Sequence, residues 1–353
     1  MKQVRFPEVA VIFLNRRCPR SCPYCNSRRM VERLMSLEEW KQAFNVLRNN
    51  GVGFFLILGN EPLLLGRMFV DLIQWLGKNK YYYAVYSTSP QPYFDRWKQD
   101  LVSAGLRNWS AGVDFIPDVY DSMRAGLSDT CKRLVEESRS NLVEKAVESM
   151  AGLRYMALAG VEEVLSLITV SRMNIEMLAD MIEWIHKNAV IDRRWKISLN
   201  YVEYAVDVGN DFAMSKDGVG SSYYFKLEDE EIWRSNIDRV RLLYRLISEI
   251  VIPYSYLDNW DSVVNLNVRC VGKTPHISID SDGSFRRCGY DSGNMGHSFN
   301  VLSCGDMSNM LLAWHEEIKN CPGCYWALPH VAYDDLRFDS LVWIDRYKED
   351  TDE

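Results

Sequence analysis

Long apolar runs are missing from this chain. No stretch approaches the roughly 18 residues that a membrane-spanning helix needs, so no membrane span is expected. The short apolar run near the N-terminus, VAVIFL at 9–14, lacks a small-residue cleavage site. It reads as a first buried strand rather than as a signal peptide, and the expected location is cytoplasmic. An excess of positive charge is missing too. The 41 Lys and Arg against 48 Asp and Glu leave a net charge of −7, which argues against a non-specific nucleic-acid binder. Histidine is scarce, and His276, His297, His315 and His330 are dispersed with no partner at metal spacing. No low-complexity tract is present.

What is present is a globular composition with an unusual share of thiols. Hydrophobic residues make up 47% of the 353, enough for a substantial core. Nine cysteines in a chain expected in a reducing compartment point to metal or redox chemistry rather than to disulfides. Apolar, β-rich runs alternate with helical patterns. Strands are expected over 9–14, 53–59, 81–87, 108–115, 161–170 and 194–204. Helices are expected between them, one starting at the capping signal Ser36-Leu-Glu-Glu39 and one covering 139–159. Six strands separated by five helices imply an α/β fold of right-handed βαβ units. Six units fall short of the eight that close a barrel, so a partial (β/α)6 barrel of parallel strands over 1–204 is predicted. Residues 205–265 read as a linker and a helical connection, with a helix at 228–250. Residues 266–328, with short strands, frequent glycines and five cysteines, read as a small C-terminal domain, and 329–353 as a charged tail.

The cysteines Cys18, Cys22 and Cys25 stand in the order Cys-x3-Cys-x2-Cys directly after the first strand, with no fourth thiol nearby. Thiolate sulfur suits zinc or an iron–sulfur cluster. Three thiolates cap three corners of a [4Fe–4S] cube and leave the fourth iron free to bind something else. A zinc site completed by a distant residue, as in a zinc-stabilised binding protein without enzymatic activity, satisfies the spacing as well. Three more motifs, Gly59-Asn60-Glu61-Pro62, Ser87-Thr88-Ser89-Pro90 and Gly112-Val113-Asp114-Phe115, fall at expected strand ends, where α/β sheets place their chemistry.

The triplet, with Tyr24 just before its last cysteine and a strand before its first, resembles the radical S-adenosylmethionine (SAM) superfamily. The GNEP segment is similar to the family's Gly-Gly-Glu-Pro motif, which holds the amino group of SAM; Asn60 replaces the second glycine. Gly112-Val113-Asp114-Phe115, followed by Tyr120-Asp121 and Arg124-Ala125-Gly126, resembles a Ser-Leu-Asp-Gly stretch in the branch of peptide-maturing enzymes and the molybdopterin-precursor synthase. Gly112 stands where that branch commonly has a serine that contacts the SAM ribose. The segment 167–174 is similar to the family's fifth strand and the asparagine after it, here Asn174. The resemblance implies a SAM-binding [4Fe–4S] cluster on Cys18, Cys22 and Cys25. It implies SAM held by Tyr24, Gly59, Asn60, Glu61, Asp114 and Asn174, and electrons from a reduced flavodoxin- or ferredoxin-type donor. It further implies hydrogen abstraction from carbon by a 5′-deoxyadenosyl radical.

Cys270, twelve residues, Gly283, four residues and Cys288 resemble the opening of the SPASM and twitch domains, and Cys321-Pro-Gly-Cys324 adds a knuckle. These four thiolates imply a closed auxiliary [4Fe–4S] cluster in a twitch-like domain; a four-cysteine zinc ribbon has the same spacing. Ile277 and Ile279 leading into Asp282-Gly283 predict a hairpin. The implied substrate is a small molecule or a peptide. The outcome after hydrogen abstraction is an oxidation assisted by the auxiliary cluster, a radical C–C or C–S bond formation, or an epimerisation. With no peptide-recognition segment read ahead of the first strand, a small molecule is the leading expectation. Cys131 and Cys304 read as ordinary thiols, and Arg16, Arg17, Arg28 and Arg29 as a solvated surface around the triplet.

Overall fold

The computed structural model describes residues 9–22, 24–25, 33–58, 60–201, 220–223, 225–251, 257, 276–286, 300–304 and 307. Its first half alternates strand and helix: β1 (Val9–Phe13), α1 (Leu37–Asn49), β2 (Phe54–Leu58), α2 (Arg67–Lys78), β3 (Tyr82–Val85) and α3 (Tyr93–Ser103). Then come β4 (Asn108–Gly112), a short α4 (Pro117–Met123), α5 (Asp129–Leu158), β5 (Glu163–Val170), α6 (Leu178–Asn188), β6 (Trp195–Tyr201) and α7 (Glu230–Leu246). All neighbouring pairs within β1–β2–β3 and β4–β5–β6 are parallel. The six-strand α/β expectation thus holds. The helix expected over 228–250 is an α-helix only from 230 to 246.

Alternation along the strands separates two faces. Ala10, Ile12, Phe55, Ile57, Tyr83 and Val85 pack under the helices, where the α1 residues Trp40, Phe44 and Leu47 are fully buried. The Phe44 ring meets those of Phe55, Tyr81 and Trp75 at centroid distances of 4.8, 5.9 and 6.4 Å. Each such side chain contributes roughly 1.5–3 kcal/mol by burial. The opposite face carries a second cluster, Val9, Val11, Phe13, Phe54, Leu56 and Ala84, which lines the inner side of the barrel. On β5 and β6 the same alternation leaves Leu167, Thr169, Ser198 and Asn200 half-buried, next to Ile168, Val170, Ile197 and Leu199, which are buried against the helices. These four mark the open inner face toward the carboxyl ends.

The barrel wall changes character between β3 and β4. The two three-strand runs are joined by the Tyr86–Ser110 bridge rather than by a full ladder. The Asn108 side chain completes the seam. Its carbonyl accepts from Val85 N at 3.0 Å, and its amide donates to Tyr83 O.

Two features depart from the sequence reading. The helix expected over 139–159 begins ten residues earlier, at Asp129, because Ser128 caps it by accepting from Cys131 N at 3.2 Å. At about 1.5 Å per residue, the 30-residue α5 is roughly 45 Å long. The eight residues of β5 span only about 26 Å. The N-terminal half of α5 therefore stands above the carboxyl ends of the strands. Second, the expected hairpin forms as β7 (His276–Ile279) and β8 (Phe285–Arg286), turning at Gly283 with φ +85°. Its first strand runs parallel to β1, pairing Val9 with His276 and Val11 with Ser278. The hairpin extends the barrel wall, giving the order β3-β2-β1-β7-β8.

The approach of α5 to the end of β3 generates a prediction. A Cβ at Gly152 would stand 2.0 Å from Ser89 Oγ, and Ser89 is fully buried and holds the Trp109 indole N–H at 3.2 Å. Gly152→Ala gains about 1 kcal/mol of helix propensity, but the clash outweighs it. A net loss of about 1–2 kcal/mol is expected in urea denaturation; an unchanged or raised midpoint is the opposite result.

Candidate active site at the barrel mouth

The segment after β1 is tied down at both ends. Asn15, fully buried, donates through Nδ2 to Glu61 O at 2.9 Å and accepts from Arg17 N through Oδ1 at 2.7 Å. Arg16 corrects the expectation of a solvated basic surface. It is 5% exposed and makes a bidentate pair with Asp280, Nε–Oδ1 2.8 Å and Nη2–Oδ2 2.9 Å, with its guanidinium 3.8 Å from the Phe13 ring centroid. Arg17 is exposed, while Arg28 and Arg29 lie outside the described residues. Arg20 is buried and reaches α5, pairing with Glu144 at 2.7 Å and with Glu148. At the far end of the segment, Met35 N donates to Ser281 O at 2.8 Å, so the C-terminal hairpin holds both ends.

Within this segment Cys18 and Cys22 are half-buried and Cys25 is exposed. Cys18 Sγ accepts from Arg20 N at 3.4 Å, and Cys25 N donates to Cys22 O at 3.1 Å. Burial pushes the Cys18 thiol up to about 11, so its thiolate form requires a positive partner such as a metal. Among the described residues no three His, Cys, Asp or Glu side chains converge as a finished metal cage. Gly59 and the second group, Cys270, Cys288, Cys321 and Cys324, lie outside the described residues. Cys131 is a buried thiol donating to Met173 O at 3.0 Å, and burial pushes it up to about 12, as an inert thiol requires.

Glu61 is fully buried at the end of β2. Its carboxylate accepts from Ser87 Oγ at 2.7 Å, Thr88 N at 3.0 Å, Thr88 Oγ1 at 3.1 Å and Leu63 N at 3.1 Å. All four donors are neutral. Burial outweighs them and pushes the carboxyl up to about 7. Asn60, beside it, has φ +35°. Glycine tolerates that left-handed conformation best and asparagine is among the next best, which accounts for the residue found there.

A second polar cluster lies at the ends of β4 and β5. Asp114, 2% exposed, accepts from Thr169 N at 2.6 Å, from Tyr24 OH and from Lys145 Nζ. Lys145 Nζ also donates to Tyr24 OH at 3.0 Å. Burial works against the Lys145 charge, but the adjacent Asp114 carboxylate and the nearby Cys22 and Cys25 together outweigh it and hold the ammonium above its ordinary pKa. Burial, then Asp114, pushes the Tyr24 phenol well up. Asn174 locks the strand ends, donating to Asp114 O at 3.0 Å and Thr169 O at 2.9 Å and accepting from Ser171 N at 2.9 Å. The structure therefore brings Tyr24, Asp114 and Asn174 into one network.

Sequence reasoning missed Lys145, although a signal was present. It interrupts the buried α5 stripe Leu142, Ala146, Ser149, Gly152 and Leu153 with a charge. It also missed the Ser87 and Thr88 contacts to Glu61.

The residues fit the cluster and SAM on two observations. Three soft donors share one anchored segment, and a buried carboxylate with only neutral donors stands one hydrogen bond from it: Glu61 N donates to Arg17 O at 3.1 Å, next to Cys18. Such a carboxylate suits an ammonium group.

The family model of the radical SAM superfamily matches residues 12–185. No curated protein matches the chain in sequence. Among solved structures the chain is similar to SuiB of Streptococcus suis bound to the precursor peptide SuiA, with 14% identity and a TM-score of 0.58 over 88% of this chain. It spans 65% of the SuiB length. It is similar as well to histidine-tagged anSMEcpe with bound AdoMet, at 14% identity and TM-score 0.57 over 90% of this chain and 84% of that one. Native anSMEcpe with AdoMet and the Cp18Cys peptide gives 16% identity and 0.52 over the same shares.

Two predictions arise from these charges. Glu61 binds its proton more tightly folded, at about 7, than unfolded, at 4.5. Its contribution to stability is therefore complete below pH 4.5 and is lost as pH rises through 7, by up to roughly 3 kcal/mol. In ligand-free protein, thermal stability should fall between pH 5 and 8 more steeply for the wild type than for Glu61→Gln; equal slopes are the contrary result. Asp280→Asn leaves the Arg16 charge buried without its partner and should cost about 3–5 kcal/mol. Hydrogen exchange should localise the loss to β7, and a protein as stable as the wild type would contradict this.

Proposed function

Because the radical SAM family model matches residues 12–185, we propose that the chain is a radical SAM enzyme that cleaves SAM reductively and takes hydrogen from a C–H bond of a peptide or small molecule. The observation that carries this reading is the buried Glu61 carboxylate, served only by neutral donors and hydrogen-bonded to the cysteine segment. When bound, the cluster and SAM supply a one-electron cleavage that yields methionine and a 5′-deoxyadenosyl radical.

The chain's own residues then have separable tasks. Cys18, Cys22 and Cys25 hold the cluster. The Glu61 carboxylate would serve the ammonium of SAM, since a cation beside it would favour its ionised form. Asn60, with its left-handed backbone, leads into this carboxylate, and Gly59 before it is the other residue of the motif assigned to SAM. Tyr24, Asp114 and Asn174 form the wall at the ends of β4 and β5. The apolar inner cluster of Val11, Phe13, Leu56 and Ala84 keeps the inside of the barrel dry below the reacting groups. Leu167, Thr169, Ser198 and Asn200 line the side open to substrate.

Cys270, Cys288, Cys321 and Cys324 carry an auxiliary [4Fe–4S] cluster in a twitch-like unit over 266–328, supported by their spacing and by the hairpin within it. A cluster held by these four residues would supply an acceptor for the second electron of an oxidation. A reduced flavodoxin- or ferredoxin-type protein supplies the first, in the cytoplasm. The peptide-bound structures similar to this chain make a peptide the first substrate class to test. No helix among the described residues is long and apolar enough to cross a membrane.

Anaerobically reconstituted protein should be brown and hold roughly eight irons. Given a reductant and SAM, it should release 5′-deoxyadenosine. Cys22→Ala should lose about half of the iron and all of this release. Release at the wild-type rate from Cys22→Ala, or a colourless protein that holds only zinc, would refute the proposal.

A further inference from the structure

The space beside Gly112 is filled by a side chain of α5, the helix packed against β4. A Cβ built on Gly112 would lie 2.9 Å from Lys145 Nζ, 3.2 Å from Lys145 Cε and 3.6 Å from Asp114 Oδ2. The ammonium thus stands where a side chain at position 112 would reach. Nothing in the packing of α5 calls for a charge there, since its neighbours on the stripe are Leu142, Ala146, Ser149, Gly152 and Leu153. Replacing a buried ion pair by apolar residues is often neutral or stabilising, so stability does not account for the Lys145–Asp114 pair. Its location does. The pair lies at the ends of β4 and β5, in contact with the aromatic residue of the cysteine triplet. Of the three N–H donors of the ammonium, Asp114 Oδ2 and Tyr24 OH receive two.

We infer that Lys145 is a SAM-binding residue, whose ammonium donates a hydrogen bond to the ribose hydroxyls of SAM in place of a side chain at position 112. The inference rests on the SAM-binding reading above and adds to it a residue from a helix rather than from a strand end. Asp114 is then a positioning residue as well as part of the wall. Held by Thr169 N and Tyr24 OH, it fixes the ammonium and keeps it charged. The glycine at 112 is the complement of the lysine, because any side chain there would displace Nζ.

The test compares SAM with its 2′,3′-dideoxyribose analogue by equilibrium dialysis on anaerobically reconstituted protein, with no turnover required. The wild type should prefer SAM by roughly tenfold, about 1.4 kcal/mol. Lys145→Met should bind the two ligands alike. Because that change leaves the Asp114 charge buried alone, Lys145→Met/Asp114→Asn, which removes both charges, is measured beside it and should give the same loss of preference. Adding Gly112→Ser to the double variant should restore the preference, since the serine Cβ no longer meets the ammonium. Variants that keep the wild-type preference, with or without a common weakening of both ligands, overturn the inference and leave Lys145 a structural residue. A wild type that binds SAM and the analogue alike overturns it too. A wild type that binds neither ligand overturns the proposed function instead.

Discussion

A carboxylate buried at the end of β2 organises the mouth of this barrel. Glu61 uses its backbone as well as its side chain. Its N–H reaches Arg17 O and its carbonyl receives the Asn15 side chain, while its carboxylate collects Ser87, Thr88 and Leu63. One residue therefore joins the start of the cysteine segment to the ends of β2 and β3. The energetics are uneven. The hydrogen bonds favour the ionised form, yet burial wins and leaves the carboxyl near half protonation at neutral pH. A group in that state gains most from an arriving cation, because the cation converts an unfavourable burial into a favourable pair. The strand ends thus carry, before any ligand is present, a buried carboxyl that a cation beside it would stabilise.

The other buried charges at the mouth are already compensated. Arg16 has Asp280, Arg20 has Glu148 and Glu144, and Lys145 has Asp114. Each group joins the cysteine segment or a strand end to an element distant in sequence, and the Arg16–Asp280 and Lys145–Asp114 pairs add no net charge. Among these buried carboxylates Glu61 stands out as the one whose donors carry no charge. The Lys145–Asp114 pair acts differently. It presents oriented polar hydrogens without competing for the cation, which suits the wall facing a neutral, hydroxyl-bearing part of a ligand.

The strands were legible because their signal is local. Apolar runs such as VAVIF and FFLIL need only be counted, and the strand-end motifs follow from strand placement. Tyr24, Glu61, Asp114 and Asn174 were readable as short motifs, and the structure places them at the mouth. What the sequence concealed depends on distance. Arg16 looked solvated because its partner lies 264 residues away. Lys145 was hidden because the meaning of a charge in an apolar helical stripe depends on Gly112, which lies on another element. The early start of α5 was missed for a smaller reason: Ser128-Asp-Thr looks like a turn, and only the bond from Cys131 N makes it a cap. The hairpin was visible in Ile277, Ile279 and Asp282-Gly283, but its pairing with β1 was not, since parallel partners share no local signature.

That pairing has a consequence for how the site is assembled. Both ends of the cysteine segment are held by the hairpin, through Arg16–Asp280 at one end and Met35 N–Ser281 O at the other. Until residues 276–286 dock beside β1, the Arg16 guanidinium lacks its counter-charge and the edge of β1 is open. A bare guanidinium is not buried at that cost, so Arg16 turns outward and the segment bearing Cys18, Cys22 and Cys25 loses its fixed start. Contacts so distant in sequence carry a loop-closure cost that the docked hairpin must offset. The placement of the three thiols therefore depends on the hairpin as well as on β1, and a metal centre built on them is set by the far end of the chain as much as by the triplet itself.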